Sequence, residues 1–329
     1  MAAAASRSVP PRGRARLMAV GRATKPIREA RGTARGMLFV GAAIALFFVV
    51  LAIFAPLISP YGFNEYKANG VRFAQLAHPS AAHWMGTTVL SNDVMARVVY
   101  GSQTELKVVA LALVMSIAIG VPLGLLSGFF GGPLDRALVL INDVLLAFPY
   151  LLLAIVVAFL LSNSSIGAGI LTAAIAITAA YVPVYFRVVR NHVVSLREEA
   201  YVDAARALGA KPWTIIRKYV FFNVVQNVPP IATLNAADAV LLLAALGFLG
   251  YGIQPTQGAE WGYDISRAVS DASSGIWWTG LFPGLAIVLL VTGLSLVGES
   301  LNETLNPVLR RRHFGRIEFP ELGEERSDD

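Results

Sequence analysis

Two acidic side chains lie inside apolar stretches of this sequence. Asp143 and Asp238 each occupy an apolar window of about 20 residues, and Asn235 precedes Asp238 by one helical turn. An ionisable group at membrane depth costs ~2.5 to 3.5 kcal/mol on insertion scales, so such a group is a candidate for function. Asp238 and Asn235 are candidates for lining a translocation cavity, where the carboxylate would meet a substrate ammonium group. An interior hydrogen-bonding role for Asp238 stays open, and we interpret Asp143 as a structural polar contact.

A charged stretch, YVDAARALGAKPWTIIRKYVFFN, lies between two apolar segments at residues 201–223. Residues 198–208, which include the start of this stretch, contain no Pro or Gly and are good helix formers. Gly209 can end a helix at positive φ, and Pro212 is suited to begin the next one. The pattern predicts a short helix, a sharp turn and a second helix that leads into the next apolar segment.

The first of these helices is predicted to dock a partner protein. Asp203 supplies one charge, and the small side chains of Ala204 and Ala205 allow the surface of a partner to approach closely. Arg206, Leu208 and Gly209 complete the predicted docking surface.

Catalytic and metal-binding motifs are not apparent in the sequence. The patterns GxxxxGK[ST], GxSxG and HExxH do not occur, so we predict no catalytic residue in this chain. There is no cysteine, and the four histidines are scattered. His78 and His83 share one segment, but we interpret them as surface histidines and predict no metal site or bound cofactor.

Six apolar windows indicate an all-α, polytopic membrane protein. The chain is 56% hydrophobic with 15% charged residues and a mean hydropathy of +0.61. Each window has the ~20 residues needed to cross a hydrocarbon core ~30 Å thick, and shorter alternating segments typical of a β-barrel are lacking. The predicted membrane-spanning segments are Met37–Ser59, Val108–Phe130, Ala137–Leu161, Ile166–Phe186, Val228–Gly250 and Ile276–Gly298.

The positions of Lys and Arg predict the orientation. Of the 27 basic residues, 22 fall in the two tails, the 131–136 loop and residues 187–226. Basic residues stay inside, so both termini are predicted to be cytoplasmic. This topology, together with the attraction of the basic residues to anionic lipid, explains the net charge of +6. We therefore predict no nucleic-acid partner. We interpret the first window as an uncleaved anchor, since its basic lead is longer than that of a signal peptide.

The predicted organisation has three parts. Residues 1–36 form a disordered basic arm, 37–303 the transmembrane domain and 304–329 a cytoplasmic tail. Within the domain, we expect an external segment at 60–103 with a short amphipathic helix after Ser91, a cytoplasmic coupling segment at 191–226 and an ordered external loop at 251–275.

A seam of glycines at four-residue spacing marks the second window. Gly120, Gly124 and Gly128 lie on one helix face, where another backbone can approach closely. We interpret the seam as packing within one bundle. An interface with a second membrane subunit, or with a moving helix, is the alternative.

The DAARALG stretch resembles the EAA loop of binding-protein-dependent ABC importer permeases, in which EAA is followed by three residues and Gly. Asp203 stands where that family has Glu or Asp, and Gly209 falls at the matching interval. Phe221 and Phe222 stand in place of the usual leucine-proline, which puts the usual helix break there in doubt. HWMGTTVLSNDVMARVVYG, AALGFLGYGIQP with AEWG, WWTGLFPGLAI and SLNETLNPVLRRR are similar to the second permease subunit of dipeptide and oligopeptide importers.

This resemblance implies a type I ABC importer permease architecture in the bacterial inner membrane. Its implied partners are a second homologous permease, two ATP-binding subunits that carry ATP and Mg²⁺, and an external substrate-binding protein that delivers peptide. The EAA-like loop would be the coupling helix that contacts an ATPase. Dipeptides are the expected cargo, with oligopeptides, nickel chelates or haem as alternatives. An ion-gradient-driven secondary transporter and a membrane scaffold are the alternatives of other classes.

Overall fold

The structure is a computed structural model that describes residues 33–162 and 169–305. Most of the predicted arm and tail lie outside the described residues. The first helix begins at Thr33, inside the stretch assigned to the arm. The helices are α1 Thr33–Ile53, α2 Ala55–Ile58, α3 Val94–Phe130, α4 Gly132–Ala147, α5 Tyr150–Ser162, α6 Ile170–Leu196, α7 Ala200–Ala207, α8 Pro212–Ile215, α9 Phe221–Val225, α10 Val228–Phe248, α11 Trp261–Ser273 and α12 Trp278–Leu305. A two-stranded antiparallel hairpin joins β1 Lys67–Ala68 to β2 Val71–Arg72.

The predicted all-α membrane architecture is confirmed. Within the described residues, five helices are long and apolar enough to cross a membrane: α1, α3, α6, α10 and α12. The bent pair of α4 and α5 makes a sixth span if it is counted as one. The apolar core lies between α3, α6 and α10, with α1 packed on α12.

The third predicted span is not one helix. α4 and α5 meet at an angle of 96° around Phe148 and Pro149. Proline lacks the N–H that would continue the hydrogen-bond ladder and disfavours the α conformation in the residue before it. Phe148 is accordingly extended, with φ −80° and ψ 136°. The predicted span at 137–161 is therefore present as a bent pair of helices, counted as one span, and not as one continuous helix.

The predicted short helix after Ser91 is also not a separate element. It forms the first turns of α3, which runs unbroken for 37 residues, and the valines at 94, 98 and 99 are buried in the protein core and not at a lipid interface. The predicted cap is present, because Asp93 accepts a hydrogen bond from the Ala96 backbone N–H at 2.7 Å. The segment at 251–275, which was predicted to be an ordered external loop, contains the helix α11.

The glycine seam of α3 packs against α6 within this chain. A Cβ at Gly120 would lie 2.7 Å from the Tyr185 Cβ, and one at Gly124 would lie 2.7 Å from the Phe186 carbonyl oxygen. A Cβ at Gly128 would be 2.8 Å from the next carbonyl oxygen along that face, that of Arg190. The two backbones are therefore in direct contact along three turns, as in small-residue interfaces of membrane helices.

Gly124→Ala is expected to lower the stability of the assembly, because the added Cβ meets backbone that cannot rotate away. Overpacking of this kind costs ~1 to 3 kcal/mol. Gly284→Ala in α12 is the matched control: a Cβ there meets nothing within 4 Å, so the helix should gain ~0.5 to 1 kcal/mol instead. Thermal unfolding of the purified assembly measures both changes. Equal midpoints for the two variants would contradict this packing.

Candidate functional site

Helix α7, which we call the docking helix, ends in the predicted turn. Gly209 has φ +77°, its N–H donates to the Arg206 carbonyl at 2.9 Å, and the Ala210 N–H donates to the Ala205 carbonyl at 3.0 Å. This pair of bonds around a left-handed residue is a Schellman C-cap. Pro212 then begins α8 after an extended Lys211. The predicted helix, turn and second helix are confirmed.

The two faces of the docking helix differ from the prediction at one position. Val202 and Ala205 are buried against the chain itself, whereas Asp203, Ala204 and Arg206 face outward. Ala205 was predicted to face a partner, and this was wrong: its small side chain lets the docking helix pack on its own subunit. An eight-residue helix needs one face for its own attachment, and a 3.6-residue period assigns that face to 202 and 205.

The exposed end of the docking helix combines charge with apolar surface. The Leu208 side chain is 89% exposed and that of Trp213, on α8, is 63% exposed. Asp203 and Arg206 form an ion pair at 3.0 Å within the helix, which contributes only ~0.2 to 0.5 kcal/mol and leaves both groups available to other charges. Trp213 was missed by the sequence reasoning, although a Trp in a polar, proline-initiated helix was a visible signal. Such a surface is suited to binding a protein partner.

The docking helix is attached to the spans at both sides. Before it, the Arg197 guanidinium donates to the Gly128 carbonyl at the end of α3 at 3.1 Å. On the helix itself, the Arg206 guanidinium lies 5.9 Å from the centre of the Phe129 ring. After it, α8 continues through a π-helical turn at Ile216–Val220 into α9. A displacement of this helix would therefore be transmitted directly to α3 and, through α9, to α10.

The Phe–Phe pair does not break the chain's helical path. Phe221 and Phe222 begin α9 in regular helical geometry, and the chain turns later, at Gln226 and Asn227, before Pro229 in α10. The helix break expected at the leucine-proline position of the family pattern is therefore absent at Phe221 and Phe222.

A second candidate site surrounds Asp238. Its side chain is exposed on the flank of α10, and Tyr181 of α6 lies within electrostatic range of both Asp238 and Tyr150. Tyr150 is the first residue of α5, directly after the break in the bent pair. We call these three residues the Asp238 cluster. Broken helices at membrane depth occur where the backbone lines a cavity or is buried in protein, which makes this cluster a candidate site.

Asn235 does not join the Asp238 cluster. It is 8% exposed, and its Nδ2 has no hydrogen-bond partner within the described part of the chain. It lies beside the buried hydroxyl of Tyr185 on α6. The predicted pair is therefore divided between an exposed carboxylate and a buried amide. The two tyrosines of the cluster were missed, because the packing of three helices is what brings Tyr181 into range of Asp238 and Tyr150.

A third polar group of residues lies at the other end of the spans from the docking helix. Glu105 of α3 and Glu260, the N-cap of α11, are both fully buried. Glu260 accepts hydrogen bonds from the backbone N–H groups of Gly262 and Tyr263 at 2.7 Å each. Burial raises the pKa of Glu260 to about 7, and these two N–H groups limit the rise. Sequence reasoning missed both residues, since Glu105, between Thr104 and Leu106 and two positions before Lys107, has the sequence context of a surface residue.

The family model of the binding-protein-dependent transport system inner membrane component matches residues 120–311. This range contains the docking helix, the Asp238 cluster and Glu260. The chain belongs to this family. It is a permease subunit of an ABC importer.

Three curated relatives are similar to the permease over most of its length. The dipeptide transport system permease protein DppC of Alkalihalophilus pseudofirmus is 38% identical over 82% of this chain and 86% of its own. The glutathione transport system permease protein GsiD of Pectobacterium atrosepticum is 32% identical over 80% of this chain and 85% of its own. The probable D,D-dipeptide transport system permease protein DdpC of Escherichia coli is 32% identical over 81% and 86%.

The fold of the permease is also found in a solved structure. The MetNI methionine ABC transporter in inward-facing conformations contains a chain that superimposes with a TM-score of 0.53 at 20% identity, over 65% of this chain and 98% of that one. The predicted type I ABC importer permease architecture is thereby confirmed.

Asp143, Asp135 and His83 each form a structural contact. Asp143 pairs with Arg187 at 2.9 Å, and both side chains are about half exposed, so the predicted polar contact is present. Asp135 accepts two hydrogen bonds from Arg190 at 2.6 and 2.7 Å, which ties α4 to α6. His83 is not a surface histidine as predicted, because it is largely buried and its Nδ1 lies 2.8 Å from the Asp93 carboxylate.

Proposed function

We propose that this permease subunit imports short peptides, with dipeptides as the principal class, and that ATP-hydrolysing subunits drive it through the docking helix. The observation that carries the proposal is the exposed surface where α7 ends and α8 begins, at which Leu208 and Trp213 present apolar side chains beyond the spans. An exposed apolar patch rimmed by charge marks a protein-binding surface. We propose that this side is the cytoplasm, because 22 of the 27 basic residues fall in the segments that the sequence assigns to it.

The assembly proposed around this subunit contains four further polypeptides. A second, homologous permease completes the pathway, two ATP-binding subunits dock below, and a substrate-binding protein delivers peptide from outside. ATP and Mg²⁺ belong to the ATP-binding subunits, since the Walker A pattern is missing from this sequence. The location is the bacterial inner membrane, with both termini in the cytoplasm.

The mechanism is alternating access. Closure of the ATP-binding subunits moves the docking helix, which passes the motion to α3 through Phe129 and Gly128 and to α10 through α9. α10 carries Asp238, so the same motion changes the wall of the pathway. Uptake by this route requires ATP hydrolysis on the cytoplasmic side and no ion gradient.

The choice of cargo follows from the relatives and from Asp238. The relatives are named for dipeptide, D,D-dipeptide and glutathione transport, and each of these compounds has a free ammonium group. A carboxylate in a pathway with two tyrosines is suited to that group. Oligopeptides share the ammonium group and remain within the proposal, whereas nickel chelates and haem do not.

Reconstitution tests the class of transporter. The purified assembly in proteoliposomes, with binding protein outside and ATP enclosed, is expected to accumulate labelled dipeptide, and an ionophore should not reduce this uptake. Uptake that persists without ATP but needs an ion gradient would identify a secondary transporter. Co-purification in mild detergent should yield a second permease and two ATP-binding subunits.

Asp238→Asn is expected to reduce dipeptide uptake about tenfold, because a hydrogen bond to a charged group contributes ~1.5 to 3 kcal/mol and ~1.4 kcal/mol is a factor of ten. Uptake of an N-acetylated dipeptide, which lacks the ammonium group, should be slow in the parent and no slower in the variant. Asp143→Asn is the matched control, since its exposed ion pair contributes ~0 to 1 kcal/mol. An equal loss for both peptides in Asp238→Asn would refute the ammonium contact.

A further inference from the structure

The segment Glu260–Gly262 is inserted between two membrane spans. On one side, a Cβ at Gly101 of α3 would overlap the Trp261 indole. On the other, a Cβ at Gly247 of α10 would overlap the Glu260 carboxylate, and a Cβ at Gly262 would overlap the Ala244 carbonyl. Three glycines thus make room for this segment, which fastens the external helix α11 to α3 and α10.

Two carboxyl groups meet in this insertion. The Glu105 side chain of α3 faces Glu260 and the Trp261 backbone, and both glutamates are 0% exposed. Both oxygens of Glu105 lack a hydrogen-bond donor among the described residues. Glu260 differs, because it accepts from two backbone N–H groups. Two ionised carboxylates in contact, away from water, would repel each other strongly.

The basic side chains near the two glutamates either bond to other residues or face away from the pair. Arg97 of α3 bonds to Asp264 of α11, and Asp264 adds a further negative charge near Glu260. Lys107 is exposed, on a different side of α3 from Glu105. Arg267 of α11 is exposed and bonds to the Tyr263 hydroxyl at 3.1 Å.

The spans packed around α11 bring no further charge to the pair. In α10 the charged residue is Asp238, nine positions from Gly247, which is ~13 Å along a helix. In α1 and α12 the charged residues lie at the far ends, at Arg35, Glu299 and Glu303. Ionisation of both glutamates would therefore be uncompensated within the described residues.

We propose that Glu105 and Glu260 form a proton-binding site, in which one shared proton joins the external helix α11 to the spans. The two backbone N–H groups stabilise the anion on Glu260, so the proton resides on Glu105, whose O–H donates to the Glu260 carboxylate. The site faces the extracytoplasmic side, where the pH follows the surroundings of the cell. Loss of the proton leaves two facing anions and loosens the attachment of α11.

The sign of the pH effect follows from burial. The shared proton belongs to the pair as a whole, and burial raises the pKa of its Glu260 member to about 7, whereas an unfolded glutamate has a pKa of ~4.3. The folded state therefore binds the proton more tightly than the unfolded state. The free energy of unfolding falls as the pH rises from ~4.3 to about 7, and it levels off once both states have lost the proton. The permease is thus more stable in mild acid.

Infrared spectroscopy of the purified assembly tests the proton directly. The carbonyl stretch of a protonated carboxylic acid, shifted in D₂O, is expected near neutral pH in the parent and should be lost in Glu105→Gln. Glu299→Gln, which removes an exposed glutamate, is the matched control and should keep the band. Absence of the band in the parent below pH 7, or its persistence in Glu105→Gln, would overturn the proposal.

Thermal unfolding supplies the second measurement. The parent and Glu299→Gln should lose thermal stability as the pH rises from 5 to about 7, while Glu105→Gln should lose clearly less, because its amide donates to Glu260 at every pH. The proposal fails if Glu105→Gln follows the parent curve. Both measurements are made without substrate, so they are independent of the cargo and of the docking partner.

Discussion

Gly209→Val is expected to reduce ATP-driven peptide uptake at least about tenfold while the subunit remains inserted and assembled. Gly209 has φ +77°, and a side chain in that conformation costs ~1 to 2 kcal/mol, more when it is β-branched. A Cβ there meets nothing within 4 Å, so the effect arises from the backbone and not from a clash. The Schellman cap opens, and Leu208 is redirected at the point of docking. Uptake into proteoliposomes, divided by the amount of assembled permease, measures the loss.

Gly209→Asn is the matched control for this prediction. Asparagine accepts the left-handed conformation far better than valine, so it should retain most of the uptake although it is of similar size. If both variants lose uptake equally, the loss is caused by the added side chain at the docking surface and not by the backbone conformation of residue 209. Uptake at the parental rate in Gly209→Val would show that the end of α7 does not couple the spans to ATP hydrolysis.

Local signals explain why the docking helix was predictable. Its turn depends on Gly209 and its restart on Pro212, and both act through the conformation of one or two residues. The Asp93 cap of α3 was found for the same reason. The spans were found because their length is set by the bilayer and not by packing.

Features that depend on packing were not predictable in the same way. Pro149 indicates a break, but the 96° angle between α4 and α5 is set by the surrounding helices. Ala205 has the composition of a contact residue, but its face was decided by where α7 attaches. Glu105 and Glu260 are separated by 155 positions, so only the folded chain brings them together.

Glycine has two distinct roles in this permease. At Gly209 it provides a backbone conformation, and the space around it is open. At Gly124 and Gly262 the backbone is ordinary, and the missing side chain allows two backbones to touch. The two roles predict different failures: loss of coupling in an intact assembly for the first, and loss of the assembly for the second.

Gly262→Ala is expected to have the largest effect on assembly. The added Cβ would overlap the carbonyl oxygen of Ala244, so α11 must move away from α10. Overpacking costs ~1 to 3 kcal/mol, and a clash between two backbones lies at the upper end of this range. A cost of ~2.8 kcal/mol corresponds to a hundredfold change in the equilibrium between the assembled and the disrupted state. The displacement also separates Glu260 from Glu105 and breaks the N-cap of α11. We expect a strongly reduced yield of assembled permease and a lower unfolding midpoint in what remains.

Gly62→Ala is the matched control for Gly262→Ala in the external part of the chain. The nearest atoms to a Cβ at Gly62 are those of Glu65 at 3.7 Å, an ordinary contact, so yield and midpoint should stay at the parental values. Size-exclusion chromatography and thermal unfolding of the three proteins decide the comparison. Normal yield and stability in Gly262→Ala would mean that α11 does not need its close approach to α10, and the insertion of Glu260–Gly262 would then not be what fastens the external helix to the spans.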